Sequence, residues 1–135
     1  MADYRLPSKK SKYYLPKETF LTVVHYCKQY PEWEAELKAI EDPRKAIAYD
    51  QDRVQTSSDS DSTSSFAMRR MEISKKKDMV DRVAQSVSGN LWRWLILGVC
   101  HDNPYYYLAQ QGIPCGKDVY YLLRRKFYFE MAQKI

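Results

Sequence analysis

Residues Asn103 to Ile135 read NPYYYLAQQGIPCGKDVYYLLRRKFYFEMAQKI, and they spell a short helix, a tight turn and a longer basic helix. Asn103 suits an N-cap and Pro104 the first helical position, where a missing N–H does no harm, so a helix is expected to start there. Gly112 supplies the left-handed residue that commonly follows a helix, and Pro114 just beyond it blocks resumption. Cys115 and Gly116 lead into the second helix. From Lys117 onward, at about 100° per residue, Val119, Leu122, Leu123 and Phe127 gather on one side, and Lys117, Tyr121, Arg124 and Tyr128 on the other. The first side is expected to pack and the second to meet a phosphate backbone.

Two helices joined by a glycine-containing turn are the grammar of a DNA-binding helix-turn-helix, whose second helix lies in the major groove. Short helical hairpins that serve only packing share this grammar. The pattern alone therefore leaves both a DNA-facing helix and a merely solvated basic face open.

Upstream, Leu91, Trp92, Trp94, Leu95, Ile96 and Leu97 form the most apolar segment of the chain and are expected to centre the core. Ser88, Gly89 and Asn90 read as a break before it. Phe66 to about Val87 carries Met68, Met71, Met79, Val80 and Val83 at helical spacing, with Ser64 or Ser65 as its cap. Lys75, Lys76 and Lys77 make that helix basic on its outer side, where it could cross a DNA backbone or simply be solvated. Thr56 to Ser65, TSSDSDSTSS, is a low-complexity segment expected to be a flexible connector. Its alternating Asp fails as a calcium loop. Counting from Asp59, Ser64 stands where the turn needs Gly and Arg70 where the ion needs a bidentate Glu.

At the front, ADYRLPSKKSKYY lacks an apolar period and reads as an extended, partly disordered arm whose Lys9, Lys10 and Lys12 could touch phosphates. Pro16 opens a helix through Phe20, Leu21, Val23, Val24 and Tyr26 that ends near Tyr30, and Pro31 starts another, with Trp33, Leu37 and Ile40 on one side. Glu32, Glu34 and Glu36 favour its N-terminal turns. These two helices are expected to form a hairpin with a shared apolar seam. His25, within an apolar helix, reads as a core-edge residue, and His101 as part of a loop or cap.

The 135 residues suffice for one domain, or a small domain with an arm, and four glycines with six prolines argue against a sheet-rich fold. An all-α fold is expected, with a basic arm at 1–15, a helical hairpin at 16–55, a connector at 56–65 and a helical core at 66–135 that includes the helix-turn-helix at 103–135. The net charge of +5 is segregated: +4 over residues 1–17, −5 over 32–65, +4 over 66–93 and +2 over 101–135. Such segregation suits contact with a polyanion. Cys27, Cys100 and Cys115 have no CxxC spacing, which indicates neither a disulfide framework nor a zinc site and fits a reducing cytoplasm. The longest apolar run is too short for a membrane span. No phosphate loop, nucleophile with its base or metal-ligand spacing is present, so no enzyme activity, metal or cofactor is expected.

The segment WLILGVCHDNPYYYLAQQGIPCGKDVYYLLRRKF resembles the sigma-factor-like C-terminal helix-turn-helix of small phage transcriptional regulators of the RinA and ArpU type. The order and spacing of KYYLPKETFLTVVHYCKQYPEWEAEL, the Ser/Asp segment and FAMRRMEISKKKDMVDRVAQSV resemble the front halves of the same proteins. In such units an alanine of the first helix packs under the second, followed by a turn glycine and a branched apolar residue, roles matched here by Ala109, Gly112 and Val119. Gly112 follows Ala109 by three residues where four is usual, and the Gly112-to-Val119 span is one longer.

The resemblance implies a phage or prophage regulator in a bacterial cytoplasm that binds double-stranded DNA, with host RNA polymerase as a further partner; a second copy of the chain is also an expected partner. Lys117 and Tyr121 would approach base edges, Arg124 and Arg125 phosphates, and Tyr120 either. Tyr128 completes the set, with Lys75, Lys76, Lys77, Lys9 and Lys10 as secondary contacts. A protein-interaction module, such as an inhibitor of a host factor or a small packaging subunit, is the alternative, because a Tyr-rich, Arg-containing helix also makes a good protein interface.

Overall fold

The computed structural model describes residues 8–41 and 59–135, and every regular element among them is helical, as the patterning requires. In chain order they are α1 (Lys17–Cys27), α2 (Tyr30–Glu41), α3 (Asp59–Ser88), a 3-10 turn (Gly89–Leu91), α4 (Trp92–Val99), α5 (Tyr105–Gln111) and α6 (Lys117–Ala132). The helices form two compact units, Met1–Tyr30 with Met79–Ile135, and Pro31–Asp78. This division differs from the expected split into 16–55 and 66–135, because α1 joins the C-terminal helices.

In the larger unit, Pro16 caps α1 and its carbonyl accepts from the Phe20 N–H at 2.8 Å. Phe20, Val23, Val24 and Cys27 follow at i, i+3, i+4 and i+7 and are all buried. Their partner is α6, where the Phe20 ring meets that of Tyr128 edge-on at 5.2 Å. The N-terminal helix pair is present, with only Lys28 and Gln29 between α1 and α2, but the buried stripe of α1 serves α6. His25, expected at the core edge, is exposed instead, on the side of α1 away from that stripe.

Val80, Val83, Ala84 and Val87 bring the second half of α3 into the core. The Tyr30 hydroxyl donates to Asp81 Oδ1 at 2.7 Å. Gly89, at φ +55, ends α3 in the left-handed region, so the break read at Ser88–Asn90 is where it was expected. The centre is α4, whose Leu95, Ile96, Gly98 and Val99 are buried and which packs on both α5 and α6. Each fully buried apolar side chain of this kind contributes about 1.5–3 kcal/mol of transfer free energy.

In the smaller unit the guanidinium of Arg69 on α3 donates to both carboxylate oxygens of Glu36 on α2, at 2.8 and 3.1 Å. The pair is solvent-accessible and adds little to stability. The Ser/Asp segment corrects an expectation: from Asp59 onward it is helical, so α3 starts earlier than the Ser64 or Ser65 cap, and residues 56–58 lie outside the described residues. Asp and Ser are favoured in the first turn of a helix, where free N–H groups and the dipole attract oxygen, and a long helix extends one residue at a time at little cost. Among the described residues no helix is long and apolar enough to cross a membrane.

Candidate nucleic-acid interface

α5, the turn from Gly112 to Gly116, and α6 form the expected two-helix unit. Asn103 does not cap it. Its N–H donates to Gly98 O at 3.1 Å and its Nδ2 to Leu97 O at 2.9 Å, so it closes the C-terminus of α4, and extended Pro104 precedes the first residue of α5. Asp102, at φ +59 and 3.6 Å from Lys28 Nζ, turns the chain between the two helices. α5 ends as expected. Gly112 takes φ +98, its N–H donates to Ala109 O at 3.1 Å, and the Ile113 N–H reaches back to Leu108 O at 3.0 Å, the double bond of a Schellman ending. The Tyr105 hydroxyl then donates to Cys115 O at 2.7 Å and ties the turn to the start of α5. Partial burial in this turn pushes the Cys115 thiol pKa up.

Both helices dock on α4 through one gap. Gly98 lacks the Cβ that would overlap the Tyr120 hydroxyl and press on Leu108 Cδ1, so Tyr120 and Leu108 close over it. Leu108 is fully buried whereas Ala109 is exposed, and Tyr120 is 2% exposed whereas Val119 is 49% exposed. The packing roles that the resemblance gives to Ala109 and Val119 therefore fall to their neighbours. Contact between α5 and α6 runs through tyrosine rings, Tyr105 lying 5.6 Å from Tyr120 and 6.4 Å from Tyr121.

This docking rotates α6 relative to the expected wheel. Its inner stripe is Tyr120, Phe127, Tyr128 and Met131, all buried, and two expected DNA contacts, Tyr120 and Tyr128 (6% exposed), belong to the core. Burial pushes the Tyr120 phenol up to about 12, against a smaller downward pull from the Arg124 guanidinium, and burial likewise raises Tyr128. Tyr121 is half-buried, with the Arg124 guanidinium 4.5 Å above its ring, so this arginine stacks. The stripe at i, i+7 and i+11 is present in the sequence, but counting tyrosine as polar hides it, although a tyrosine ring buries as much apolar surface as a phenylalanine.

The outer side of α6 carries Asp118, Val119 and Leu122, the last 47% exposed, with Arg125 and Lys126 half-buried beside them, while Lys117 is exposed in the first turn. Lys117, Arg125 and Lys126 make no salt bridge among the described residues. Lys126 shares a side of the wheel with Val119 and Leu122, the side the sequence expects to pack, and it falls on the outer side for the same reason that Tyr120 falls inside. Tyr106, at 70% exposure, and Tyr107 stand outward on α5. Of the secondary set, Lys75 and Lys76 are exposed and Lys77 half-buried on the part of α3 in the smaller unit, and Lys9 and Lys10 are exposed in the larger one.

Comparison of the chain with protein-family models, with curated proteins and with solved structures found no match.

Proposed function

We propose that this chain is a DNA-binding regulator that lays the outer side of α6 against duplex DNA. The observation that carries the reading is Arg125 and Lys126, adjacent on the outer side of a helix that follows a left-handed glycine turn, with exposed Lys117 at that helix's N-terminal end, none of the three in a salt bridge among the described residues. Exposed cations outside any salt bridge attract phosphates, whose neutralisation releases condensed counterions. Val119 and Leu122 between them offer apolar contact to thymine methyl groups, which gives the helix a means of reading sequence. The resemblance to small phage regulators supports the regulatory role and a bacterial cytoplasmic setting, with the contact set revised to Lys117, Arg125 and Lys126, and with Arg124 and Tyr121 as their stacked support.

The test is a titration against a mixed pool of short DNA duplexes at two salt concentrations, followed by sequencing of what is retained. Retention that falls steeply with salt is expected, and Lys117→Ala with Arg125→Ala and Lys126→Ala should lose most of it, at about 0.9 in the log–log salt slope for each phosphate contact removed. Absence of retention at low salt overturns the reading. A second reading, a protein-interaction module, is favoured by the exposed Tyr106, Tyr107, Val119 and Leu122, since aromatic and aliphatic side chains left in solvent are typical anchors of protein interfaces. Such binding would be nearly indifferent to salt.

A further inference from the structure

The segment at residues 8–14, expected as a loose arm, is folded onto the larger unit, while residues 1–7 lie outside the described residues. Two serines build it. The Ser11 N–H donates to Ser8 O at 2.9 Å and the Lys10 N–H to Ser8 Oγ at 3.2 Å; then the Tyr13 N–H donates to Ser11 Oγ at 3.1 Å and the Tyr14 N–H to Ser11 O at 3.2 Å. These are successive serine-nucleated turns, and they lead into buried Leu15. Tyr13 meets Phe129 of α6 edge-on, with ring centroids 5.8 Å apart at 62°. Lys12 Nζ lies over the Tyr13 ring, 5.3 Å from its centre.

Phe129 follows Arg125 by four residues and Lys126 by three, so the three share one side of the helix. Whatever is fastened to Phe129 is therefore fastened beside those two cations. What is fastened there carries Lys9, Lys10 and Lys12 and no acid between Ser8 and Tyr14. Cations gathered on one part of a surface attract a polyanion long enough to meet all of them.

We infer that residues 8–14 are a latched basic arm, held by the Tyr13–Phe129 ring contact, which adds Lys9, Lys10 and Lys12 to Arg125 and Lys126 as one site for the phosphodiester backbone of a DNA duplex. The inference rests on the DNA-binding reading of α6. It goes further by making the arm part of the same footprint and Tyr13 a positioning residue that touches no DNA.

Duplex binding of the full chain, followed over a range of salt with a fluorescent mixed-sequence duplex, tests it. Lys9→Ala with Lys10→Ala and Lys12→Ala should flatten the log–log salt slope by about 0.9 for each lysine that meets a phosphate. Tyr13→Ala, which keeps every lysine, should flatten it nearly as much, and Tyr13→Phe, which keeps the ring, should leave it unchanged, with circular dichroism showing the helices intact in each. A wild-type slope in the lysine variant overturns the arm while leaving the α6 reading standing. A wild-type slope in Tyr13→Ala alone overturns the latch. Loss of binding to phosphatidylserine vesicles with an unchanged duplex slope overturns it in favour of a membrane-facing arm, and no duplex binding by the unaltered protein overturns both readings.

Discussion

On the inner side of the α5–α6 unit Tyr105, Tyr120 and Tyr128 pack against neighbouring rings and helices, whereas on the outer side Tyr106 is 70% and Tyr107 38% exposed. The residue type is the same and the segment is the same. The difference lies in what each position faces, since a phenol ring is apolar enough to fill a core and its hydroxyl polar enough to end at a surface. Inner changes should therefore alter stability, and outer changes should alter only what the protein binds.

The largest expected effect is at the gap over α4. Gly98→Ala places a methyl against the Tyr120 hydroxyl and Leu108 Cδ1, and overpacking of this kind destabilises by about 1–3 kcal/mol. Thermal unfolding should fall by several degrees, and Tyr120→Phe in the same chain should recover part of the loss, because it removes the atom in closest conflict. An unchanged unfolding temperature for Gly98→Ala would show that Tyr120 does not close over the glycine.

The next effect is alkaline. Burial raises the Tyr120 pKa to about 12 in the folded chain, against an ordinary tyrosine value of 10.0. Between those two values the folded state keeps a proton that the unfolded state has released, so stability is fully present below pH 10 and declines as pH rises toward 12. The loss is on the order of 2 kcal/mol, since each tenfold change in an ionisation constant corresponds to about 1.4 kcal/mol. Urea unfolding of the parent and of Tyr120→Phe across this window checks it. The parent should lose more stability than the variant, and an equal loss in both would place the phenol in solvent.

The smallest effect belongs to the outer side. Tyr106→Ala and Leu122→Ala should each move stability by no more than about 0.5 kcal/mol, the usual range for surface positions. Both should nevertheless weaken the preferred partner, and Leu122→Ala should relax duplex selectivity more than it lowers salt-dependent affinity. A large fall in unfolding temperature for either would place that residue inside and erase the contrast with Tyr120.

Much of the architecture follows from local chemistry alone. The all-helical class, the starts at Pro16 and Lys117, the stop at Gly112, the break at Gly89 and the apolar centre at Leu95 and Ile96 depend on backbone restrictions and on strongly apolar side chains, which behave alike in any surroundings. The rotation of α6 does not. Whether Tyr120 or Val119 turns inward depended on the hole at Gly98, far away along the chain, and whether α1 served α2 or α6 depended on Tyr128 meeting Phe20. Periodicity offers several stripes when tyrosine can count as apolar or polar, and only the shape of the neighbouring helix chooses among them. The amino-acid order thus determined the helices and the cations they carry. The tertiary packing decided which cations face outward, because a close fit at one glycine sets the orientation of a whole helix.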